Sequence, residues 1–492
     1  MASTLVLEGI EAIVFRTIGD CPPLRESRLP PEVLRLPEVL ARVDALLDDP
    51  AFFAPFAPHF HPLIGRPSTP IECYLRLMFL KFRYRLGYES LCAEVSDSIS
   101  WRRFCRIPLD AKVPHPTTLM KLTTRCGDGA VAGLNDALLA KAAGAKLLRT
   151  ARLRADTTVV PANVSYPTDS GLLARAIGRI AATGRRIQAA GGARRTRVRD
   201  RSRAAGRRAH AIAAKLRSRA AQARDEKQAA VARATGELAG LAERAAREAR
   251  RLLANARRAL RRAQDKAARL AAAGLKDATA GRRRGRLRRA VNDLAELLEV
   301  TATVAAQARQ RLAGTMPDGA TRRVSLHEPD ARPIAKGRLG KPVEFGYKAQ
   351  VTDNDDGVIV DHVVEQGNPA DGPQLAPATG RVIKHAGSTP RTVTADRSYG
   401  EQAVEDDLHG LGIRHVVIPR KGKPGKARRA AERRPAFRRA VKWRTGSEGR
   451  ISALKRGYGW DRTRLDGTEG ARIWTGHGVL VHNLVKISVL AS

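Results

Sequence analysis

The chain has 492 residues, of which 43% are hydrophobic, 28% charged and only 4% aromatic, and its formal net charge is +40. The length suits two to four domains with a substantial core, and no run approaches the roughly 18 apolar residues of a membrane span. A charge of this size and sign is too large for an ordinary cytosolic enzyme and attracts polyanions, nucleic acid being the commonest.

The five cysteines, Cys21, Cys73, Cys92, Cys105 and Cys126, are odd in number and form no C-x-x-C pair. This argues against a zinc module or a disulfide framework and for small buried hydrophobes in a reducing compartment. The N-terminus has no basic segment followed by a long apolar stretch, so the chain reads as soluble and intracellular. The basic segments lack aromatic or Leu-rich insertion faces, which disfavours a membrane surface.

In chain order, Thr69-Pro70-Ile71-Glu72 predicts a helix start, with Thr69 as cap, Pro70 in the first turn and Glu72 closing a capping box. The helix runs through Phe82, and Gly87 ends it. Further helices are expected over Ser90–Val95 and from Pro116 through Leu122. Three short helices with interleaved Arg and Lys suit a helix-turn-helix-like DNA module or a bundle packed on a neighbouring domain.

Residues 171–310 carry 36 Lys and Arg against 11 Asp and Glu, and contain no Phe, Tyr, Trp or Pro. Ala and Arg favour long helices, with breaks expected at Gly191-Gly192, between Gly236 and Gly240, and between Gly274 and Gly285. The stripe Leu252, Leu253, Ala256, Leu260 and the stripe Leu287, Val291, Leu294, Leu298 predict an antiparallel helical hairpin or coiled coil of modest stability. The cluster Arg282, Arg283, Arg284, Arg286, Arg288 and Arg289 suits DNA phosphates, or else a solvated helix face.

After residue 317 the pattern becomes strand-like. Phe345–Thr352 and Val358–Val364 flank the turn Asn354-Asp355-Asp356-Gly357, a β-hairpin signal. A helix over 371–386, a strand ending at Asp396, a helix over 400–410, the strand Arg414–Pro419 and a basic loop over 420–434 follow. His477 and His482 fall in a C-terminal helix expected to pack on the sheet.

Three carboxylates stand apart: Asp156 at the end of one strand, Asp396 at the end of another, and Glu448 in a basic helical segment. Buried carboxylates are costly unless paired with cations or metal, and a converging trio can hold two divalent ions. With the basic stretch set aside, the order β (Asp156), β, β, α, β (Asp396), α, β, α (Glu448) is that of an RNase H-like fold, a mixed sheet flanked by helices. The expected organisation is an N-terminal helical, DNA-binding domain over 1–145, the RNase H-like domain over 146–170 and 317–492, and the Arg/Ala-rich helical insertion over 171–316.

These motifs resemble those of DDE transposases of bacterial insertion sequences. The residues that carry the likeness are Asp156-Thr157-Thr158, Tyr166-Pro167-Thr168-Asp169-Ser170, Thr394-Ala395-Asp396-Arg397-Ser398-Tyr399-Gly400 and Gly457-Tyr458-Gly459-Trp460-Asp461-Arg462. The family signature Y-x2-R-x3-E-x6-K is matched at Arg444, Glu448 and Lys455, with Val441 at the Tyr position and Trp443 as the nearby aromatic. The resemblance implies a catalytic, metal-binding triad of Asp156, Asp396 and Glu448 with Mg2+, or Mn2+ in its place. It further implies Arg444 and Lys455 as phosphate clamps, terminal inverted repeats and target DNA as substrates, a homodimer on DNA, and a cytoplasmic, nucleoid-associated protein. A non-catalytic basic DNA-binding protein, or a nuclease that cuts without joining, are the alternatives.

Overall fold

The computed structural model describes residues 13–14, 30, 32, 35–61, 65–218, 224–275, 277–336 and 342–491; Cys21 lies outside them. Two compact units emerge, Met1–Asn163 with Gly346–Ser492, and Val164–Phe345.

In the first unit, β1 (Ile13–Val14) pairs in parallel with β2 (Arg66–Pro67). The helices α1 (Glu38–Leu47), α2 (Ile71–Arg83), α3 (Tyr88–Asp97), α4 (Ile99–Phe104) and α5 (Pro116–Gly144) follow. The start of α2 departs from expectation: Pro70 itself is the N-cap and no side chain caps it. The helix starts one residue later than the cap pattern places it, so Thr69 stands one position before the cap. Every α2 residue from Ile71 to Phe82 is buried, so this helix is a core element with no free face to enter a groove. Among its polar members, Arg76 bonds Asp44 at 2.6 Å and Asp48 at 2.8 Å. Lys81 sits 4.2 Å from the Trp474 ring centre, beside Phe82 and Tyr88. Gly127, at φ 69°, kinks α5. Cys73, Cys105 and Cys126 are buried and Cys92 half-buried, all free thiols.

The second unit contains α6 (Asp169–Ala189), α7 (Ser202–Arg217), α8 (Arg224–Ala272) and α9 (Ala278–Leu312). Thr168 caps α6 through the Gly171 amide at 3.1 Å, and Asp169 pairs with Arg311 at 3.0 Å; the Tyr166–Ser170 motif is thus a helix start. The four helices share a core that includes Ile180, Ile187, Leu238, Leu252, Leu294 and Val304, interleaved with alanines. The ion pair of Arg309 with Glu243 and the packing of the two helices on each other make α8 and α9 antiparallel. The break expected between Gly236 and Gly240 is absent: α8 runs straight through both. A glycine inside a helix costs about 1 kcal/mol, and the long Ala-rich flanks and shared core outweigh that. Gly274, at φ 70°, does end α8.

The sheet consists of β3 (Arg152–Pro161), β4 (Arg332–Ala335), β5 (Val343–Asp353), β6 (Ile359–Gln366), β7 (Thr392–Thr394) and β8 (His415–Val417), in the order β4-β5-β3-β7-β8 with β6 also on β5. Pairs β3–β5 and β5–β6 are antiparallel; β3–β7 and β7–β8 are parallel. This is the mixed, RNase H-like sheet that the order of elements predicts. Central β3 is buried along most of its length, as a strand covered on both faces must be.

The remaining helices are α10 (Leu375–Ala386), α11 (Gln402–Gly410), α12 (Lys426–Arg433), α13 (Pro435–Arg444), α14 (Gly446–Gly457) and α15 (Gly467–Leu490). Helix α15 packs against α5 and β6. The Asn483 amide bonds both the amide and the carbonyl of Ile359, at 2.9 and 2.8 Å. His482 bonds the Gly357 carbonyl at 3.0 Å, and His477 stacks on Phe82; burial pushes their pKa values down to about 4 and about 3. Both are neutral core side chains. Among the described residues, no helix is long and apolar enough to cross a membrane.

Two glycines test this packing. A Cβ at Gly346 would lie 2.2 Å from the Val160 carbonyl oxygen and 2.7 Å from the Ala162 amide nitrogen, both backbone atoms of the neighbouring chain segment. Gly346→Ala is expected to cost about 1–3 kcal/mol. Gly380, inside α10, has open space around its Cβ, so Gly380→Ala is expected to add up to about 1 kcal/mol. Denaturant midpoints of the two variants should move in opposite directions.

Candidate active site

Strands β3 and β7 run parallel with Arg154 opposite Thr394. Asp156 and Asp396 each lie two residues beyond that pair, so the register alone brings them to neighbouring positions on strands about 4.8 Å apart. Asp396 leaves the strand and caps the short 3-10 turn Arg397–Tyr399, accepting from the Ser398 amide at 2.8 Å and from the Ser398 hydroxyl. Tyr399 is buried and donates to Gln350 at 3.1 Å. Gly400 passes so close to the chain after β8 that a Cβ would lie 2.0 Å from the Pro419 carbonyl oxygen. The Asp396–Gly400 motif is therefore a carboxylate held by a cap, a buried anchor and a close backbone approach.

The third carboxylate arrives on helices that dock onto β3. Arg154 is buried and makes a forked ion pair with buried Asp353 opposite it on β5, Nη2 to Oδ2 at 2.8 Å and Nε to Oδ1 at 3.0 Å. Its remaining Nη1 donates to the Trp443 carbonyl at 2.9 Å, and its guanidinium lies 4.6 Å from the Trp443 ring centre. Ser447 donates to Asp353 at 3.2 Å, and Arg450 lies 3.6 Å from the same carboxylate. Residues 443 and 447 are thus tied to the pair. Between them, Arg444 reaches Asp156 Oδ2 at 3.2 Å and Glu448 Oε1 at 3.4 Å. A Cβ on Gly446 would collide with the Arg154 guanidinium at 2.2 Å, so only glycine lets the helix junction sit this close. Trp443, the aromatic expected to stand in for the signature Tyr, has its ring committed to Arg152 and Arg154; Val441 is half-buried.

Electrostatically, Asp156 is the strained member. Burial pushes its pKa up to about 6, opposed by Arg444 and the Thr157 amide and reinforced by the negative charges of Asp396 and Glu448. The donors gathered here are all oxygens, which suits Mg2+. Among the described residues no three Asp, Glu, His or Cys side chains already close into an ion cage. Glu448 is exposed in the first turn of α14, and the Arg444 guanidinium supplies the cation between it and Asp156. Lys455 occupies the last turn of the same helix, half-buried.

The other candidates lie elsewhere. Arg282, Arg284, Arg286, Arg288 and Arg289 lie on α9 in the second unit, and Arg283 is engaged with the Ala190 carbonyl at 3.1 Å. The run from Asp353 to Gly357 is the hairpin turn, its carboxylates Asp353, Asp355 and Asp356 paired with Arg154, Arg152 and Arg149. Sequence reasoning missed Arg154, Asp353 and Ser447. Arg152 and Arg154 alternate on β3, with Asp353 at the end of β5 and Asp355 in the turn beyond, but their pairing shows only with the strand register.

Residues 28–125 match the family model described as "Transposase domain (DUF772)", and residues 318–484 match the one described as "Transposase DDE domain". The second match takes in Asp396, Arg444, Glu448 and Lys455; Asp156 falls between the two matched stretches. No curated protein and no solved structure matches the chain.

Two outcomes follow from the geometry. Asp353→Asn leaves Arg154 buried without its counter-charge and is expected to cost about 3–5 kcal/mol, whereas the paired change Arg154→Met/Asp353→Leu should be near neutral; thermal melts separate the two. The folded protein holds the Asp156 proton more tightly than the unfolded chain does. This group therefore favours folding fully below about pH 4, and loses that contribution as pH rises through about 6. Asp156→Asn should be more stable than wild type at pH 7 by up to about 3 kcal/mol, the difference vanishing towards pH 4. A difference that does not change with pH would contradict the assignment.

Proposed function

Because the chain belongs to the DDE-type transposases of insertion sequences, we propose that it cuts the ends of its element and joins them to target DNA through Asp156, Asp396 and Glu448. The observation that carries the reading is the Arg444 guanidinium spanning Asp156 and Glu448, residues far apart in the chain, beside an Asp396 whose charge Asp156 feels. Asp156 and Asp396 would hold divalent ions through their carboxylate oxygens, and Glu448 would complete the set. Bound Mg2+, or Mn2+ in its place, supplies Lewis-acid activation of the attacking oxygen and stabilises the departing 3′-oxygen. Asp156, ionised above a pKa of about 6, would exchange its contact with Arg444 for the ion, which would free Arg444 to meet the scissile phosphate, with Lys455 on the following helix. The substrates are the terminal inverted repeats and target DNA, the working form on DNA is a homodimer, and the compartment is the cytoplasm. The N-terminal helices carry sequence preference, and the α9 arginines add phosphate contacts.

Incubation with the element's own ends and Mg2+ tests this. Wild type is expected to give both cleaved and joined products. Asp156→Asn, Asp396→Asn and Glu448→Gln are each expected to lose at least a thousandfold in cleavage while binding DNA within a few-fold of wild type. Cleavage without joining would make the protein a nuclease, and equal loss of binding and cleavage would reassign the carboxylates to folding.

A further inference from the structure

The segment 420–444, which leads directly into Arg444, contains twelve Lys and Arg against one acidic residue, Glu432. The carboxylates within reach are consumed by a few of these cations. Glu405 of α11 pairs with Arg420 and Arg428, Glu432 pairs with Arg428 and accepts the Arg420 amide, and Glu401 takes Lys421. Arg428 also lies against Phe437, fastening α12 to α13. What remains, besides Lys423 and Arg439, is a set of exposed cations with no carboxylate partner among the described residues: Lys426, Arg429 and Arg433 on α12, Arg434 at the junction, and Arg438 and Lys442 on α13.

This arrangement is unfavourable on its own. Arg434, Arg438 and Lys442 follow each other at four-residue spacing, and Arg429 and Arg433 do the same, so like charges face one another along each helix. Neither helix buries a side chain, so no core contact explains them. The surface has no apolar insertion face, which sets it apart from a membrane-binding helix. A polyanion that threads along it offsets the repulsion by releasing counterions. Position supplies the direction: α13 packs against β7 and β8 and ends at Arg444, whose guanidinium touches Asp156.

We propose that the exposed face of α12 and α13 is a phosphate track for duplex DNA that leads the substrate backbone to Asp156 and Asp396. The inference rests on the transposase reading above and adds to it a surface separate from the α9 arginines. Contacts of this kind give affinity without sequence information.

The test uses the full chain, EDTA to prevent cleavage, and a 30-base-pair duplex of arbitrary sequence, with affinity followed by anisotropy across a salt series. Changing Lys426, Arg429, Arg433, Arg434, Arg438 and Lys442 to Gln is expected to lower the slope of log K against log salt by about four to six. Affinity near 0.1 M salt should fall at least a hundredfold. Arg434→Gln/Arg438→Gln should lower the slope by about two, and the matching Arg→Lys pair should restore it; the melting temperature of each variant is measured alongside. Unchanged slope and affinity in the folded six-site variant would overturn the track, while Gln changes at the α9 arginines then show where binding lies. A wild-type chain that binds no duplex at any salt would instead overturn the transposase reading itself.

Discussion

The buried ion pair between Arg154 and Asp353 is the constraint on which the site depends. Two charges taken out of water are costly, and such a pair is tolerated only when its hydrogen-bonding capacity is filled. Here the fork between the two side chains, the Trp443 carbonyl and the Ser447 hydroxyl fill it. The consequence is positional. Arg154 shares a strand face with Asp156, two residues on, and the pair grips the chain on both sides of Arg444. Removing the charges would leave a sheet but no fixed seat for the helix that carries Glu448.

The two aspartates need no such device, because strand register places them. Asp156 ends up buried beside two other carboxylates, a situation that raises its pKa and makes its negative charge available at a cost. Arg444, bonded to Asp156 at 3.2 Å, offsets part of that cost. The same guanidinium could serve a phosphate if cations of higher charge took its place beside Asp156. The basic face of α12 and α13 continues this logic outward, carrying positive charge up to Arg444.

Much of this was legible in the sequence because it rests on local signals. The hairpin of β5 and β6 followed from alternation around Asn354–Gly357, and the carboxylates followed from their strand-end settings. What was not legible rests on partners distant in the chain. Thr69 looks like a cap until the helix is seen to start one residue on, with Pro70 at the cap position, and Gly236 and Gly240 look like breaks until α8 is seen packed along its length. The weakly apolar stripes of the Ala-rich stretch become a shared core only when four helices bring them together. Trp443 reads as a spare aromatic near the signature until two strand arginines are found against its ring. Arg154 and Asp353 are hardest, since a lone Arg and a lone Asp have no meaning until the register of β3 on β5 sets them face to face.

The most direct test of the account is a Mn2+ titration followed by electron paramagnetic resonance, in wild type, Glu448→Gln and the Arg154→Met/Asp353→Leu pair, each first shown to be folded. If the buried pair seats Glu448 over the two aspartates, both variants bind Mn2+ at least tenfold more weakly than wild type and by similar factors. Wild-type affinity in the folded paired variant, alongside weakened binding in Glu448→Gln, would contradict the claim that the ion pair builds the site.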